Sequence, residues 1–157
     1  MKIYHSSPLG ILEIEEENES LCAISFVEKG SSKAKEVPRF MKNWTKQLDD
    51  YFSGDRLSFS IPLHLEGTPF QKSVWSALME IPFGKTISYK ERARKIGNEN
   101  SVRAVGNANR KNKLPILIPC HRVIQSDGKM GGYSGELWRK EYLLNHEREI
   151  MARKAKQ

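Results

Sequence analysis

The sequence has little cysteine and no long apolar run. Only two of its 157 residues are cysteines, Cys22 and Cys120, and no apolar stretch reaches the roughly 18 residues needed to cross a bilayer. A disulfide scaffold, an all-cysteine zinc site and a transmembrane role are thereby excluded. The first residues, Met1–His5, contain no apolar signal-peptide core. We therefore expect a cytoplasmic, intracellular protein without a membrane partner.

Charge is divided unevenly along the chain, whose formal net charge is +7. Residues 1–66 hold 8 basic and 11 acidic side chains, whereas residues 67–157 hold 18 basic and 8 acidic ones. This asymmetry predicts two domains with a boundary at 66/67, the second of which meets a polyanion. An ordinary basic protein has the same charge profile, so charge alone suggests nucleic-acid binding without establishing it.

The first half has the pattern of a small sheet with one helix. Two β-rich runs, 10–17 and 21–27, predict a hairpin, and apolar residues at every second position predict a half-buried edge strand over 57–65. Between them, apolar residues at helical spacing predict a helix that begins near Pro38 and ends before Gly54. Because nothing here clusters nucleophiles, acids and bases, we interpret residues 1–66 as a scaffold domain.

The second half is predicted to be helical. Thr68-Pro69-Phe70-Gln71 has the form of a capping box, and the helix that follows presents Phe70, Val74, Trp75, Leu78 and Met79 on one apolar face. Ser88 opens a second helix that stops at Gly97, and Ser101 caps a third that runs to about Arg110. Two short helices joined by residues 97–100 are typical of a helix-turn-helix unit.

The third predicted helix combines cations with small residues. Arg103, Arg110, Lys111 and Lys113 lie on it or just after it, as phosphate contacts require. Ala104, Gly106 and Ala108 keep its surface small, which lets a backbone approach a nucleic acid closely. A solvated helix with small residues packed inward is the alternative. Glycine inside a helix costs roughly 1 kcal/mol relative to alanine, which favours the functional interpretation.

Cys120 is the candidate nucleophile. The apolar, β-favouring stretch 114–119 predicts a buried strand that delivers Cys120 and His121 at a fixed position. His121 and Arg122 can stabilise the thiolate, which is the reactive form of cysteine. From the residues alone, a buried structural cysteine beside an ordinary histidine remains the alternative.

Several segments in register resemble the O6-alkylguanine-DNA alkyltransferases. The active-site signature of that family is similar to Pro119–Val123 preceded by Ile116–Ile118. Four further segments resemble its tyrosine turn, recognition helix, substrate loop and closing helix: 87–89, 103–109, 131–135 and 143–147. The resemblance is strong over 68–147, whereas before that only Ser7–Gly10 is similar.

The resemblance implies an α+β protein with a ribonuclease-H-like first domain, residues 1–66, and a winged-helix/helix-turn-helix second domain, residues 67–157. Its expected activity is DNA repair by irreversible, single-turnover transfer of an alkyl group from O6-alkylguanine, and from O4-methylthymine, to a cysteine. The expected partner is double-stranded DNA carrying that lesion. The damaged base is flipped out of the duplex by a helix in the minor groove. We expect a monomer that needs no cofactor.

The same resemblance assigns residue roles. Cys120 is the nucleophile, His121 the general base acting through a water, Glu147 the group that orients the imidazole, and Asn112 a support of this network. Tyr89, Val123, Tyr133 and Ser134 are the expected substrate-binding residues. The expected DNA contacts are Arg103, which fills the vacated stack, together with Ala104, Gly106, Ala108, Arg110, Lys111 and Lys113.

Two departures and two alternatives accompany this assignment. Lys113 stands where the family commonly has proline. Cys22 and His5 are too few for the zinc site of some relatives, so we predict no metal.

A non-catalytic member of the superfamily would carry another residue in place of Cys120, and a winged-helix regulator would leave Cys120, His121 and Glu147 without a role. The basic tail after Glu147 is expected to fray.

Overall fold

The computed structural model describes residues 1–30, 36–96, 101–133 and 135–156. The chain forms two compact units, Met1–Leu65 and Glu66–Gln157. Strands and a helix make up the first, and the second is mainly helical. The predicted α+β class is therefore confirmed. None of the described helices is both long and apolar enough to span a membrane.

The first unit is a three-stranded antiparallel sheet with one helix. Strands β1 (Lys2–Ser7), β2 (Gly10–Glu17) and β3 (Ser20–Val27) lie in the order β1-β2-β3. The hairpin of β2 and β3 is confirmed, whereas β1 was missed. Apolar side chains alternate with polar ones, so that one sheet face is buried. It includes Ile3, Leu12, Ile14, Leu21 and Ile24.

Helix α1 (Arg39–Ser53) begins and ends where its sequence predicts. Pro38 occupies the N-cap position, and Gly54 follows the last turn with φ of 88°, the left-handed conformation that glycine adopts at little cost. The backbone N–H of Gly54 donates to the carbonyls of Asp50 and Tyr51. Met41, Trp44, Leu48 and Tyr51 form its buried face.

The predicted strand over 57–65 does not form. The segment makes only an isolated bridge, in which Leu21 N–H donates to Pro62 O and His64 N–H donates to Leu21 O. Pro62 has no N–H, so a longer ladder cannot be built through it. The burial alternation is nevertheless present, with Phe59, Ile61 and Leu63 half-buried between exposed neighbours.

The second unit packs two helices against a third. Helices α2 (Pro69–Leu78) and α3 (Tyr89–Lys95) both contact α4 (Val102–Arg110). Strands β4 (Ile87–Ser88) and β5 (Val123–Ile124) form a short parallel pair. The capping box of Thr68 and Gln71 is present in both directions. Of the predicted apolar face of α2, Val74, Trp75 and Leu78 are buried, whereas Phe70 and Met79 lie at the two helix ends and are exposed.

The helix pair differs from the sequence expectation in detail. The Ser88 side chain accepts from Glu91 N–H and so caps α3. Ser101 stands at the N-cap position of α4 but makes no side-chain capping bond. The predicted turn at 97–100, including the stop at Gly97, lies outside the described residues.

The stretch 114–119 is a buried turn and not a strand. Ile118 N–H donates to Leu114 O, and Ile116 has a positive φ of 76°. The side chain of Asn112 forms hydrogen bonds with the backbone at both ends of this turn. Its Oδ1 accepts from Leu114 N–H at 2.9 Å, and its Nδ2 donates to Ile118 O at 2.9 Å. These bonds replace the strand ladder that the apolar, β-favouring composition predicts.

Helix α5 (Leu137–Ala155) extends through the basic tail that was expected to fray. Ile150 lies beyond Glu147 and is buried, and the exposed Met151 lies beside Gly84. Burial of Ile150 explains why the helix continues past Glu147, because helices in proteins owe most of their stability to packing.

Candidate active site and nucleic-acid interface

Cys120 lies in a short 3-10 helix, Cys120–Arg122, directly after the 114–119 turn. It is 2% exposed, and its N–H donates to Ile118 O at 2.7 Å. Burial raises the pKa of the thiol, whereas a hydrogen bond from Asn112 and the charge of Lys140 act in the opposite direction. A thiol in this setting needs a nearby base to become a thiolate.

His121, the next residue in the chain, is the predicted base. It is fully buried, and its Nε2 lies 2.7 Å from Glu147 Oε2. An ionised carboxylate only accepts hydrogen bonds, so Nε2 carries the proton and Nδ1 presents its lone pair. Nδ1 has no hydrogen-bond partner among the described residues. Burial lowers the pKa of His121 and Glu147 opposes that effect, so the neutral, proton-accepting imidazole is favoured at neutral pH.

Arg122 completes the cluster around Glu147, and sequence reasoning gave it no such role. The Nε of Arg122 donates to Glu147 Oε1 at 2.8 Å, and one of its terminal nitrogens donates to Glu147 Oε2 at 2.9 Å. The other terminal nitrogen donates to Ile81 O. The Gly84 N–H also donates to Oε1. Although burial alone would raise the pKa of Glu147, its bonds to His121 and Arg122 hold that pKa well below its usual range. Glu147 therefore stays an anion.

Lys140 is a second buried cation that the sequence analysis missed. Its Nζ donates to Val123 O at 2.6 Å and to Gly132 O at 3.3 Å, and it lies 5.7 Å from the centre of the Tyr89 ring. Burial lowers its pKa to about 8, and the negative charge of a Cys120 thiolate opposes that change. Lys140 thus joins β5 to the loop that carries Gly132 and places an ammonium near Cys120.

Three of the four predicted substrate residues are described. Val123 is buried at the start of β5, and Tyr133 is half-buried, with its hydroxyl lacking a partner among the described residues. Burial raises the pKa of Tyr89 and of Tyr133. Ser134 lies outside the described residues.

Tyr89 lines an open cavity of about 440 Å³ on the surface of the second unit. This size suits a small-molecule or nucleobase ligand. Its other lining residues include Lys90, Arg103, Gly106, Arg110, Gly131 and Gly132. The cavity therefore brings the candidate substrate tyrosine and candidate DNA contacts to one place. The sequence analysis did not predict that Lys90 lines this cavity.

Gly131 tests whether Tyr89 must hold its position. Its φ is 71°, and an added Cβ would lie 3.0 Å from Tyr89 Cε2. If Cys120 accepts an alkyl group, as the sequence resemblance implies, Gly131→Ala should slow that reaction roughly tenfold or more, since a small displacement of a positioning group has large kinetic effects. The measurement is the second-order rate constant for alkylation by an O6-alkylguanine substrate.

Gly128→Ala is the control for Gly131→Ala. It adds similar backbone strain at φ 86°, and its Cβ would meet no atom of the described residues within 4 Å. This variant should keep the rate within about twofold while it loses about 1–2 kcal/mol of stability. Equal slowing by Gly128→Ala would assign the effect to strain and not to Tyr89.

The predicted DNA-contact residues divide between surface and interior. Arg103, Ala104, Arg110, Lys111 and Lys113 are exposed, and Gly106 is half-exposed on the same helix. Ala108, in contrast, is 2% exposed, and its carbonyl accepts from Trp75 Nε1 at 2.8 Å. The helical period turns Ala108 towards α2, so it packs in the interior and does not lie on the predicted surface.

Metal ligands do not cluster in the described parts of the chain: no group of three or more His, Cys, Asp or Glu side chains there could hold an ion. The residues Cys120, His121 and Glu147 combine a buried cysteine with an imidazole that a carboxylate orients. Such an arrangement activates a sulfur nucleophile.

Comparison with known families assigns both halves of the chain. Residues 69–149 match the DNA-binding domain of 6-O-methylguanine DNA methyltransferase, and residues 1–65 match its ribonuclease-like domain. The chain belongs to the 6-O-methylguanine DNA methyltransferase family.

Individual family members are similar over most of their length. A methylated-DNA–protein-cysteine methyltransferase of Methanosarcina acetivorans is 45% identical over 148 residues, covering 90% of this chain and 94% of the relative. The constitutive enzyme of that name from Bacillus subtilis is 41% identical over 152 residues, covering 90% and 92%. The crystal structure of Mycobacterium tuberculosis OGT in complex with DNA has a TM-score of 0.85 and 39% identity, covering 94% and 92%. The family resemblance of the sequence is thus confirmed.

Proposed function

We propose that this chain is a methylated-DNA–protein-cysteine methyltransferase that binds DNA and reverses alkylation damage directly. In this reaction Cys120 accepts the alkyl group of an O6-alkylguanine. The observation that carries the proposal is the buried Cys120–His121 pair, whose imidazole is bonded to Glu147 at 2.7 Å, in a chain of this family. Residues 67–157 are the DNA-binding and alkyl-transfer domain, and residues 1–66 are its scaffold. The protein acts as a monomer, and O4-methylthymine is a second substrate.

The first step is removal of the thiol proton. His121 Nδ1 accepts it, directly or through one bridging water, because Nε2 is held by Glu147. The ionised Glu147 stabilises the resulting imidazolium without taking the proton, since Arg122 keeps the carboxylate charged. Asn112 and Lys140 favour the thiolate over the thiol. A free cysteine is only a few per cent thiolate at neutral pH, and burial raises the pKa of Cys120 further, so its ionisation depends on a base such as His121.

Transfer exchanges one bond for another. The thiolate attacks the O6-alkyl carbon, an S–C bond forms, and the C–O6 bond breaks with its electron pair going to the purine. The guanine anion takes up a proton, so that the proton of the thiol ends on guanine and the cysteine becomes a thioether. A thioether has no hydrolytic route back to the thiol, and each protein molecule therefore acts once.

The base reaches Cys120 by leaving the duplex. Extrusion costs a few kcal/mol and is least costly for a damaged base, and Arg103 on the exposed face of α4 fills the vacated stack. Tyr89, Val123, Tyr133 and Ser134 line the pocket for the extruded base. Hydrogen bonds from the Tyr89 hydroxyl and the Ser134 N–H make guanine a better leaving group.

Mass spectrometry of the intact protein and of its peptides tests the proposal. Incubation with a duplex containing one O6-methylguanine should add a single methyl group to Cys120 and none to Cys22. An unmodified duplex is the control. Binding of the damaged duplex with no mass increase would overturn alkyl transfer and favour a non-catalytic DNA-binding member of the superfamily.

Phosphate contacts should dominate duplex affinity, because a repair protein must search every sequence context. Arg110, Lys111 and Lys113 are exposed beside α4. Replacing any one of them with alanine should reduce the slope of log affinity against log salt by about one unit and weaken all duplexes alike. Fluorescence anisotropy at several salt concentrations measures the slope.

Lys42→Ala is the matched control for the salt slope, since Lys42 is an exposed cation on α1 of the first unit. It should leave the slope unchanged. A slope that responds to Lys42 and ignores Arg110 and Lys111 would place the DNA on the first unit.

Gly106 should show opposite effects on stability and binding. In the free protein a Cβ at this helical position meets no atom of the described residues within 4 Å. Gly106→Ala should therefore raise the free energy of unfolding by about 1 kcal/mol. In the minor groove, which is only about 6 Å wide, the added methyl group should weaken duplex affinity several-fold. Thermal unfolding and anisotropy measure the two effects, and unchanged affinity would contradict close approach of this helix.

A further inference from the structure

Met151 is an exposed methionine whose side chain lies against a loop that contacts Glu147. It is 37% exposed and follows Glu147 by four residues on α5, a spacing that makes the two side chains neighbours on the helix surface. A Cβ added to Gly84 would lie 2.5 Å from Met151 Cγ and 3.6 Å from Met151 Sδ. The thioether therefore occupies the space that a side chain at position 84 would need.

Gly84 connects Met151 to the candidate general base. The φ of Gly84 is 80°, in the left-handed region that favours glycine, and its N–H donates to Glu147 Oε1 at 3.1 Å. The other carboxylate oxygen, Oε2, lies 2.7 Å from His121 Nε2. One backbone N–H and one carboxylate thus separate the Met151 side chain from the imidazole.

The thioether of an exposed methionine reacts with two-electron oxidants such as hydrogen peroxide. A sulfur lone pair attacks one peroxide oxygen, so that an S–O bond forms and the O–O bond breaks. The proton on the transferred oxygen passes to the departing hydroxide, which leaves as water. The sulfur is oxidised and the peroxide is reduced. The product is a sulfoxide, which is polar where the thioether was apolar, and methionine sulfoxide reductases return it to methionine.

We infer that Met151 is a modification site through which two-electron oxidants reversibly lower the reactivity of Cys120. A sulfoxide oxygen accepts hydrogen bonds, and on the Met151 sulfur it competes with Glu147 Oε1 for the Gly84 N–H. The carboxylate then loses the donor that ties it to the loop, and the imidazole bonded to it shifts. A small displacement of a catalytic group slows a reaction strongly. The inference rests on the proposed function and adds a means of regulating it.

Substitution tests the inference without an oxidant. Met151→Gln places a carbonyl oxygen near the position of the sulfoxide oxygen, and it should slow single-turnover transfer from methylated DNA about fivefold. Met151→Leu keeps the side chain apolar and similar in volume, and its rate should stay within about twofold of the wild type. Met79→Gln is the matched control, because Met79 is an exposed methionine at the end of α2; its rate should also stay within about twofold.

Peroxide treatment tests the modification itself. Peptide mass spectrometry should find an added oxygen on Met151 and Met79, whereas Met41 is fully buried and should resist. A thiol reductant then restores reversibly oxidised Cys120. Transfer should remain about fivefold slower than in the untreated protein until methionine sulfoxide reductase is added. Met151→Leu, treated in the same way, should regain its full rate with the thiol reductant alone.

Amide hydrogen exchange at Gly84 separates this route from a general loss of stability. At a temperature well below unfolding, the Gly84 N–H should exchange faster in Met151→Gln and in the oxidised protein than in the wild type. Slower transfer with unchanged Gly84 exchange overturns the route through this N–H. Wild-type transfer rates in Met151→Gln and in the oxidised protein overturn the inference and leave the proposed function intact. Absence of transfer by the untreated wild-type protein overturns the proposed function itself.

Discussion

Cys120→Ser is expected to abolish alkyl transfer while leaving duplex affinity within about twofold of the wild type. A serine hydroxyl is far less acidic than a thiol and a far weaker nucleophile, and His121 cannot ionise it to a useful extent. The backbone bonds at this position, from N–H to Ile118 O and from Asn109 to the carbonyl, do not depend on sulfur. Single-turnover kinetics with methylated DNA and anisotropy on the same duplex measure the two properties.

Cys22 supplies the matched control, because it is the other free cysteine of the described chain and is half-buried in β3. Cys22→Ser should transfer at the wild-type rate. If Cys120→Ser lost duplex binding and thermal stability together with transfer, Cys120 would be a structural residue. Transfer that persisted in Cys120→Ser and vanished in Cys22→Ser would move the nucleophile to the first unit.

Elements whose signals are local could be predicted from the sequence. The ends of α1 follow from Pro38 and Gly54, and the start of α2 from the reciprocal Thr68–Gln71 bonds, because capping is decided by residues three or four apart. The β2–β3 hairpin likewise depends on adjacent runs joined by a tight polar turn. In each of these elements, propensity and packing favour the same structure.

The apolar segments whose partners lie far away could not be predicted. The stretch 114–119 has the composition of a buried strand, yet the Asn112 side chain bonds both ends of the turn and no neighbouring strand pairs with it among the described residues. Periodicity cannot separate a buried turn from a buried strand when every residue is apolar. The tail after Glu147 was predicted to fray because it is basic, yet it is helical. Burial of Ile150 there outweighs the charge of the tail.

The site itself was predicted through resemblance, and its buried charges were missed for a physical reason. Arg122 and Lys140 are polar residues at core positions, which composition alone treats as solvated. A signal did exist in α5, where Lys140, Leu143, Glu147 and Ile150 recur at spacings of three and four residues and form one buried face. A lysine and a glutamate on an apolar face require buried partners. The sequence does not reveal which partners they are.

Glu147→Gln is expected to cost about 3 kcal/mol of stability, because it leaves Arg122 buried with no counter-charge. For a chain of this length that loss corresponds to a fall in Tm of roughly 10 °C. The variant should also slow alkyl transfer about a hundredfold, since the imidazolium of His121 loses the anion that stabilises it. Calorimetry and single-turnover kinetics measure the two losses, and Glu149→Gln, exposed on the same helix, should change neither.

The stability difference should also depend on pH with a defined sign. The folded-state pKa of Glu147 lies below the ordinary value of 4.5, so its ionisation stabilises the fold fully above that pH. That stabilisation is lost as the pH falls towards the lower folded-state pKa, where the wild-type carboxylate becomes protonated. The gap in unfolding free energy between wild type and Glu147→Gln should therefore be complete at pH 6–8 and shrink well below pH 4.5. A gap that stayed constant into strong acid would mean that Glu147 contributes by its shape and not by its charge.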